Sequence, residues 1–285
     1  MVHVPARLAV GLASAGGSLG TFALPPLAHL LVTHLGWRGA YVVFGAAVLI
    51  ALNVLAVLMR RDPETMGLRP DGAPAIGAST RSGLRTGGWT VAQALRSRAF
   101  WMLYGVFAAT WTPVFIPLVH LVPMARGLGI APLLAATLVS AVGVAAMAGR
   151  LVMGAASDRI GRRAAFAVAF VLQAAAFVGF AWSHDLAALY TASVVFGFSY
   201  GAASTLFTAT VADFFGREHA ASLAGLLFSL AGSMAACGPF AAGFIYDRAG
   251  DYHLAWWLSA ACNGLALFLL VFTRPPAPRD EAAAA

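Results

Sequence analysis

Lysine is absent from this sequence, and charge of either sign is scarce: charged residues make up 10% of the 285, against 60% hydrophobic. Soluble domains carry roughly 25% charged residues. Too few charges are present to solvate a globule of this size, so lipid must be much of the solvent. Cysteine is nearly missing as well. Cys237 and Cys262 both fall inside apolar runs, which fits small packing residues rather than a disulfide and leaves the redox compartment open. No Asp or Glu lies deep in an apolar run, and Asn53 and Asn263 sit in such runs without a glycosylation sequon. Residues 2–7 hold one charge and a proline, and the apolar run after them is too long for a cleaved signal-peptide core. Metal-ligand clusters, phosphate loops and dinucleotide fingerprints are missing, so no cofactor is expected. Gly197-Phe-Ser199-Tyr-Gly201 and Gly16-Gly-Ser18-Leu-Gly20 match G-x-S-x-G, but a nucleophile elbow needs a strand-to-helix turn and both matches lie within apolar runs. They read as small-residue helix faces, Gly16 and Gly20 also forming G-x-x-x-G. No enzyme activity is expected.

The charge that is present has a pattern. All eighteen basic residues are arginine, for a formal net charge of +7. They cluster between apolar runs rather than along a face interleaved with exposed aromatics, which speaks against nucleic acid and fits helix ends at a membrane. Eight apolar runs can be drawn, at 8–32, 38–59, 98–123, 131–156, 164–182, 186–211, 219–246 and 253–273. Most reach the roughly 20 residues that a helix needs to cross a hydrocarbon core of about 30 Å. Prolines inside them (Pro25, Pro26, Pro113, Pro117, Pro239) are tolerated in membrane helices. The one long polar stretch, 60–97, opens on Arg60-Arg61-Asp62-Pro63-Glu64 and continues rich in Gly, Pro, Ser and Thr, reading as a flexible linker. Its end, 90–95, reads as a short interfacial helix.

Arginine also sets the orientation. With the N-terminus inside, fourteen arginines (Arg7, the seven from Arg60 to Arg98, Arg159, Arg162, Arg163, Arg217, Arg274 and Arg279) are cytoplasmic. Three, Arg38, Arg126 and Arg248, are outside, and Arg150 lies within a run. This positive-inside bias predicts cytoplasmic termini, linker and 157–163 loop, with 124–130 and 247–252 outside. Trp37, Trp182, Trp256 and Trp257 are expected in the outer aromatic belt. The expected location is a bacterial inner (plasma) membrane.

The last six runs contain an internal echo. Residues 154–161 (GAASDRIG) and 243–250 (GFIYDRAG) share the pattern G-x-x-x-D-R-x-G, three helices apart and hence on opposite membrane sides. Three-plus-three inverted repeats of this kind are known in secondary transporters.

Residues 154–163 (GAASDRIGRR) resemble the signature loop of the major facilitator superfamily, G-x-x-x-D-R-x-G-R-[RK], at its position between helices 8 and 9. Residues 8–20, 36–41, 63–72, 120–123 and 238–247 resemble helix 5, the 5–6 loop, the linker after helix 6, and parts of the C-terminal half of monocarboxylate-porter-like and oxalate-formate-antiporter-like members. The resemblance covers nearly the whole chain. It implies an all-α membrane protein of eight transmembrane helices corresponding to helices 5–12 of the fold, with helices 1–4 absent. Residues 1–59 are then the last two helices of the N-terminal bundle, 60–97 the cytoplasmic linker, 98–273 the six-helix C-terminal bundle and 274–285 a cytoplasmic tail. It further implies that Gly154, Asp158, Arg159, Gly161, Arg162 and Arg163 form a latch that holds one conformation.

Arg150 is the sharpest site candidate. An Arg in hydrocarbon costs about 2.5–3.5 kcal/mol on insertion scales, so it faces a cavity, a partner or the interface. It lies six residues from the end of its run, about 9 Å by helix rise, which leaves snorkelling open. The resemblance adds substrate binding, since a helix-8 arginine in monocarboxylate-porter-like proteins is held to bind the substrate carboxylate. His120, with a reference pKa near 6.5, is the proton-coupling candidate, or an interfacial His bonded to backbone. Tyr104, Trp111 and Thr112, with Ser199, Tyr200 and Ser204, line a cavity or act as helix-packing glue. The expected function is secondary transport of a small organic anion, a monocarboxylate, as symporter or antiporter by alternating access between two bundles. The alternatives are another substrate on the same fold, such as a drug or sugar, or a truncated non-transporting membrane protein. Expected partners are the anion, the bilayer and a coupling proton, with oligomeric state left open.

Overall fold

The structure, a computed structural model, describes residues 6–58, 89–216 and 219–276, with the side chains of 6–15, Ser18 and Leu58 outside the description. Most of the expected linker, its arginines Arg60 to Arg85, and Arg217 and Arg279 therefore lie outside the described residues, as does the side chain of Arg7. Nine helices are described: α1 (Ala6–Leu58), α2 (Val91–Leu95), α3 (Arg98–Val114), α4 (Ile116–Gly127), α5 (Pro132–Ile160), α6 (Arg162–Ala181), α7 (Leu186–Phe215), α8 (Ala220–Ala249) and α9 (His253–Phe272). Among the described residues, seven stretches are long and apolar enough to span a membrane, with α3 and α4 together forming one and residues 19–57 counted as one.

That last stretch accounts for the difference from eight. The two N-terminal runs are continuous in α1, but Gly36 breaks it with φ 68° and ψ 170°, a conformation open only to glycine. A Cβ at Gly39 would fall 2.7 Å from the Leu35 Cβ, far closer than the roughly 5–6 Å of successive helical turns. The chain turns sharply there, and each side of the turn is long enough to cross the membrane alone.

The short elements follow local rules. The short helix expected at 90–95 is α2, and a reciprocal capping box of Thr90 and Gln93 starts it. Ser97 caps α3 by accepting from the Phe100 N–H at 3.2 Å, and Asp185 caps α7 through Ala188 at 2.8 Å. Prolines are answered by neighbours. Pro26 has no N–H to offer the Phe22 carbonyl, and Ser140 of α5 donates to that carbonyl instead, at 2.6 Å.

Packing within α3–α9 follows the inverted repeat. α5 and α6 pack on α7, while α8 and α9 pack on α3, and α6 meets α9. Exchanging α3–α4 with α7, α5 with α8 and α6 with α9 maps this pattern onto itself. The two echo motifs behave alike. Gly161 (φ 85°) ends α5 and Gly250 (φ 77°) ends α8, both in the left-handed half of the backbone map. A Cβ at Gly154 would lie 3.7 Å from Thr205 of α7, and one at Gly243 would lie 3.7 Å from His120 of α4.

Because lipid is as apolar as leucine, these helices are drawn together by close packing rather than by hydrophobic burial. The α5–α7 seam shows it. Cβ atoms at Gly149, Gly197 and Gly201 would sit 2.0, 2.4 and 1.9 Å from the carbonyl oxygens of Phe198, Val142 and Ala146. The first G-x-S-x-G match is thus a backbone-contact face in mid-helix. The second is not: a Cβ at Gly16 would meet nothing, and α1 approaches α5 through Gly17 and Phe22. Two aromatic clusters fill the bundle, one near each end: Phe107, Phe166, Phe170 and Phe207, and Phe177, Phe180, Phe196 and Trp256. Trp256 is therefore buried in the core, whereas Trp37, Trp182 and Trp257 are exposed as a belt requires.

Candidate functional site

Arg150 is half-buried on α5, and its Nε donates to Ser204 Oγ of α7 at 3.3 Å. Ser204 donates its own proton to the Gly201 carbonyl at 2.9 Å, which leaves its lone pairs for the guanidinium. The third wall is α1, where a Cβ at Gly17 would lie 3.6 Å from Arg150 Nη1. Gly17 thus stands at ordinary contact distance from the guanidinium. α5 continues to Ile160, ten residues beyond Arg150, so the nearer helix end is about 15 Å away by helix rise. The last turn of that length carries the exposed Asp158 and Arg159, so the distance to the end of the apolar run stays at about 9 Å, and the side chain engages a neighbouring helix.

His120 of α4 bridges two partners at the opposite end of the bundle. Its Nε2 lies 2.9 Å from the Pro239 carbonyl and its Nδ1 lies 3.2 Å from Tyr252 Oη. A carbonyl only accepts, so Nε2 carries the proton and Nδ1 of the neutral ring accepts from the phenol. Burial, then Tyr246 and Asp247, push the Tyr252 phenol above its ordinary range, so it stays a neutral donor. A hydroxyl also accepts, so a second proton on Nδ1 would keep both contacts. Neither Tyr252 nor the Pro239 carbonyl was legible as a partner in the sequence, since they lie 132 and 119 residues away.

The other candidates are distributed along the helices. Tyr104 stacks edge-on with Trp101 at 5.8 Å, and Trp111 packs on Phe228 at 5.2 Å, both against the first aromatic cluster. Thr112 donates to Ala108 at 2.7 Å, and its carbonyl abuts Gly238 where α8 crosses α3. Ser199 is fully buried and donates to the Phe196 carbonyl at 2.7 Å, while Tyr200 stacks on Phe196 at 6.1 Å. Of the cavity candidates, the structure joins Arg150 directly to Ser204.

The 154–163 loop is a compact ionic knot. Arg162 reaches Asp158 at 3.3 Å and Asp213, near the end of α7, at 3.1 Å, and it also donates to Ser157. Arg163 donates to the Val271 carbonyl at the end of α9, and Gly161 supplies the turn. Arg159 is exposed. Asp213 is the member that sequence reasoning missed. It lies two residues past the run that ends at 211, and that position at a helix end was its only signal.

Helices of this length and composition, joined by a glycine-closed loop that ties α5, α6, α7 and α9, define an integral membrane protein with a polar group deep in its bundle. The family model of the Major Facilitator Superfamily matches residues 6–121 and 112–285. The chain belongs to that superfamily. Among curated proteins it is similar to Monocarboxylate transporter 12-B of Danio rerio, 28% identical over 292 residues, which covers 94% of this chain and 61% of the relative. Monocarboxylate transporter 6 of Mus musculus is 30% identical over 272 residues, 89% of this chain and 57% of the relative. Monocarboxylate transporter 13 of Bos taurus is 34% identical over 157 residues, 54% of this chain and 32% of the relative. The chain spans 61% and 57% of the length of the first two.

Proposed function

We propose that this protein is a secondary active transporter of small organic anions, monocarboxylates foremost, working by alternating access. The observation that carries the reading is Arg150: an arginine about 9 Å inside its apolar run by helix rise, bonded to Ser204 at the meeting of α1, α5 and α7. A planar fork suits a carboxylate, and a cation at that depth is costly unless it has such a role. The relatives' names point to the same substrate class. His120 is the proton-coupling residue in this reading, because its two contacts accommodate either protonation state. Tyr104, Trp111, Ser199 and Tyr200 are assigned to the substrate path as expected from the sequence. In a thermal-unfolding panel on the purified chain, small monocarboxylates are expected to stabilise saturably while their amides and neutral sugars do not. A ligand at a hundredfold its Kd adds about 2.7 kcal/mol. Stabilisation by sugars, or none by free acids, would sink the proposal.

In the same reading, 1–59 completes an N-terminal bundle, 60–97 links it to the six-helix bundle of 98–273, and 274–285 is a tail. The arginine asymmetry supports cytoplasmic termini and a cytoplasmic 157–163 knot, in a bacterial inner membrane as expected above. The knot then acts as a conformational latch, with Arg162 shared between Asp158 and Asp213. Single-cysteine labelling, in a background lacking Cys237 and Cys262, tests both points. An impermeant reagent should not reach position 85 in intact cells. Asp213→Asn should raise labelling of position 159 a few-fold, in line with the modest strength of exposed ion pairs. Strong labelling at 85 overturns the orientation, and unchanged labelling at 159 overturns the latch.

A further inference from the structure

Where α3 begins and α9 ends, on the same face of the bundle as the Arg162 knot, a groove of about 440 Å³ opens between the two helices. Its rim is basic, with Arg98 from α3 and Arg274 just beyond α9, and its inner wall is apolar, with Met102, Val271 and Phe272. Both arginines are exposed, and the ion pairs among the described residues involve neither. Among the described residues, no acidic side chain lines the groove.

The backbone adds to the positive end. Ser97 Oγ accepts from the Phe100 N–H, so the preceding N–H groups of Arg98 and Ala99 stand at the start of α3 without an intrahelical acceptor. The level of the groove is set by its neighbours. Trp101, 51% exposed, donates its indole N–H to the Leu95 carbonyl at 2.8 Å, an arrangement suited to a membrane interface. Val271 and Phe272, about half exposed, continue the wall into the outward apolar face of the bundle. Arg163 holds the end of α9 in place by donating to the Val271 carbonyl.

We propose that this groove binds an anionic phospholipid. The phosphodiester sits between Arg98 and Arg274 at the mouth of α3, and the acyl chains run along Met102, Val271 and Phe272. Basic pockets between membrane helices at the interface are the known setting for such headgroups. The apolar wall favours a lipid over free phosphate, and the described lining offers two guanidinium groups and no carboxylate, which favours an anionic headgroup over choline. The site stands apart from Arg150 and does not rest on what the protein transports.

Native mass spectrometry of the purified chain with phosphatidylglycerol and phosphatidylcholine of matched acyl chains tests the proposal. Phosphatidylglycerol is expected to be retained in preference to phosphatidylcholine, and added inorganic phosphate should not displace it. Each guanidinium near the headgroup is expected to contribute about fivefold, so Arg98→Gln with Arg274→Gln should weaken phosphatidylglycerol binding roughly twenty-fivefold. Arg126→Gln, at a groove beside Tyr246 on the other side of the bundle, should leave it unchanged. Should the double variant fail to fold, each single variant is expected to lose its fivefold share. Equal retention of both lipids, displacement by inorganic phosphate, or affinity unchanged in the variants would overturn the proposal.

Discussion

Replacing Arg150 with alanine is expected to abolish monocarboxylate binding, and replacing it with lysine to weaken binding by roughly ten- to a hundredfold. The lysine variant is the informative one. It keeps the charge on a slightly shorter chain, but it loses the planar fork through which Nε holds Ser204 and which, in the proposed function, meets the carboxylate. A hydrogen bond to a charged group contributes about 1.5–3 kcal/mol, and each 1.4 kcal/mol is about tenfold in affinity. A snorkelling arginine would behave otherwise, because lysine snorkels as well and the exchange would be nearly silent. A purely structural arginine would lower the unfolding temperature with affinity intact. Affinity and thermal midpoint, measured on the same preparations, separate the three. Affinity for a small monocarboxylate within twofold of the parent, at an equal midpoint, would remove Arg150 from the site. Ser204→Ala should reproduce part of the lysine effect, since it frees the Nε edge that sets the plane of the fork.

Replacing Gly201 with valine is expected to destabilise the bundle more than any surface change. The obstacle is backbone: the new Cβ would stand 1.9 Å from the Ala146 carbonyl oxygen and 2.6 Å from its carbon, and no rotamer relieves that. α5 and α7 would have to separate along a seam that Gly149 and Gly197 also hold close. Overpacking a core costs typically about 1–3 kcal/mol, and a wall of backbone puts this case at the upper end. The separation would also move Ser204, one turn along α7, away from Arg150. Gly225→Val is the control, because a Cβ there meets nothing within 4 Å. Thermal unfolding in detergent is the measurement. A Gly201→Val midpoint matching that of Gly225→Val would contradict the seam.

Much of the architecture was open to reading before any coordinates. Runs of apolar residues had to become helices, because a backbone in lipid must satisfy its own hydrogen bonds. The 154–163 loop, the echo at 243–250 and the lone intramembrane arginine are written in residue types and spacings. The short helix at 90–95 was legible as well, and its capping box came with the structure. The turn in α1 was legible as the gap between the 8–32 and 38–59 runs, while its narrowing to a single non-helical residue, Gly36, was not.

Which faces meet was another matter. Membrane helices that are apolar all round give little periodic signal for an inside and an outside. Gly17 rather than Gly16 or Gly20 faces Arg150 from α1, and Trp256 is core rather than belt. Ser204, Asp213 and Tyr252 become partners of Arg150, Arg162 and His120 across 54, 51 and 132 residues of chain. The sequence by itself determined that this chain lives in a membrane as a bundle of helices with one arginine in its interior and a glycine-closed basic loop at its edge. Only the tertiary structure decided which carbonyls the glycines admit and which side chain each cation meets. Hydropathy specifies the solvent of a helix, whereas contacts between helices depend on shape at ångström scale, where a missing methyl group outweighs any average over a run.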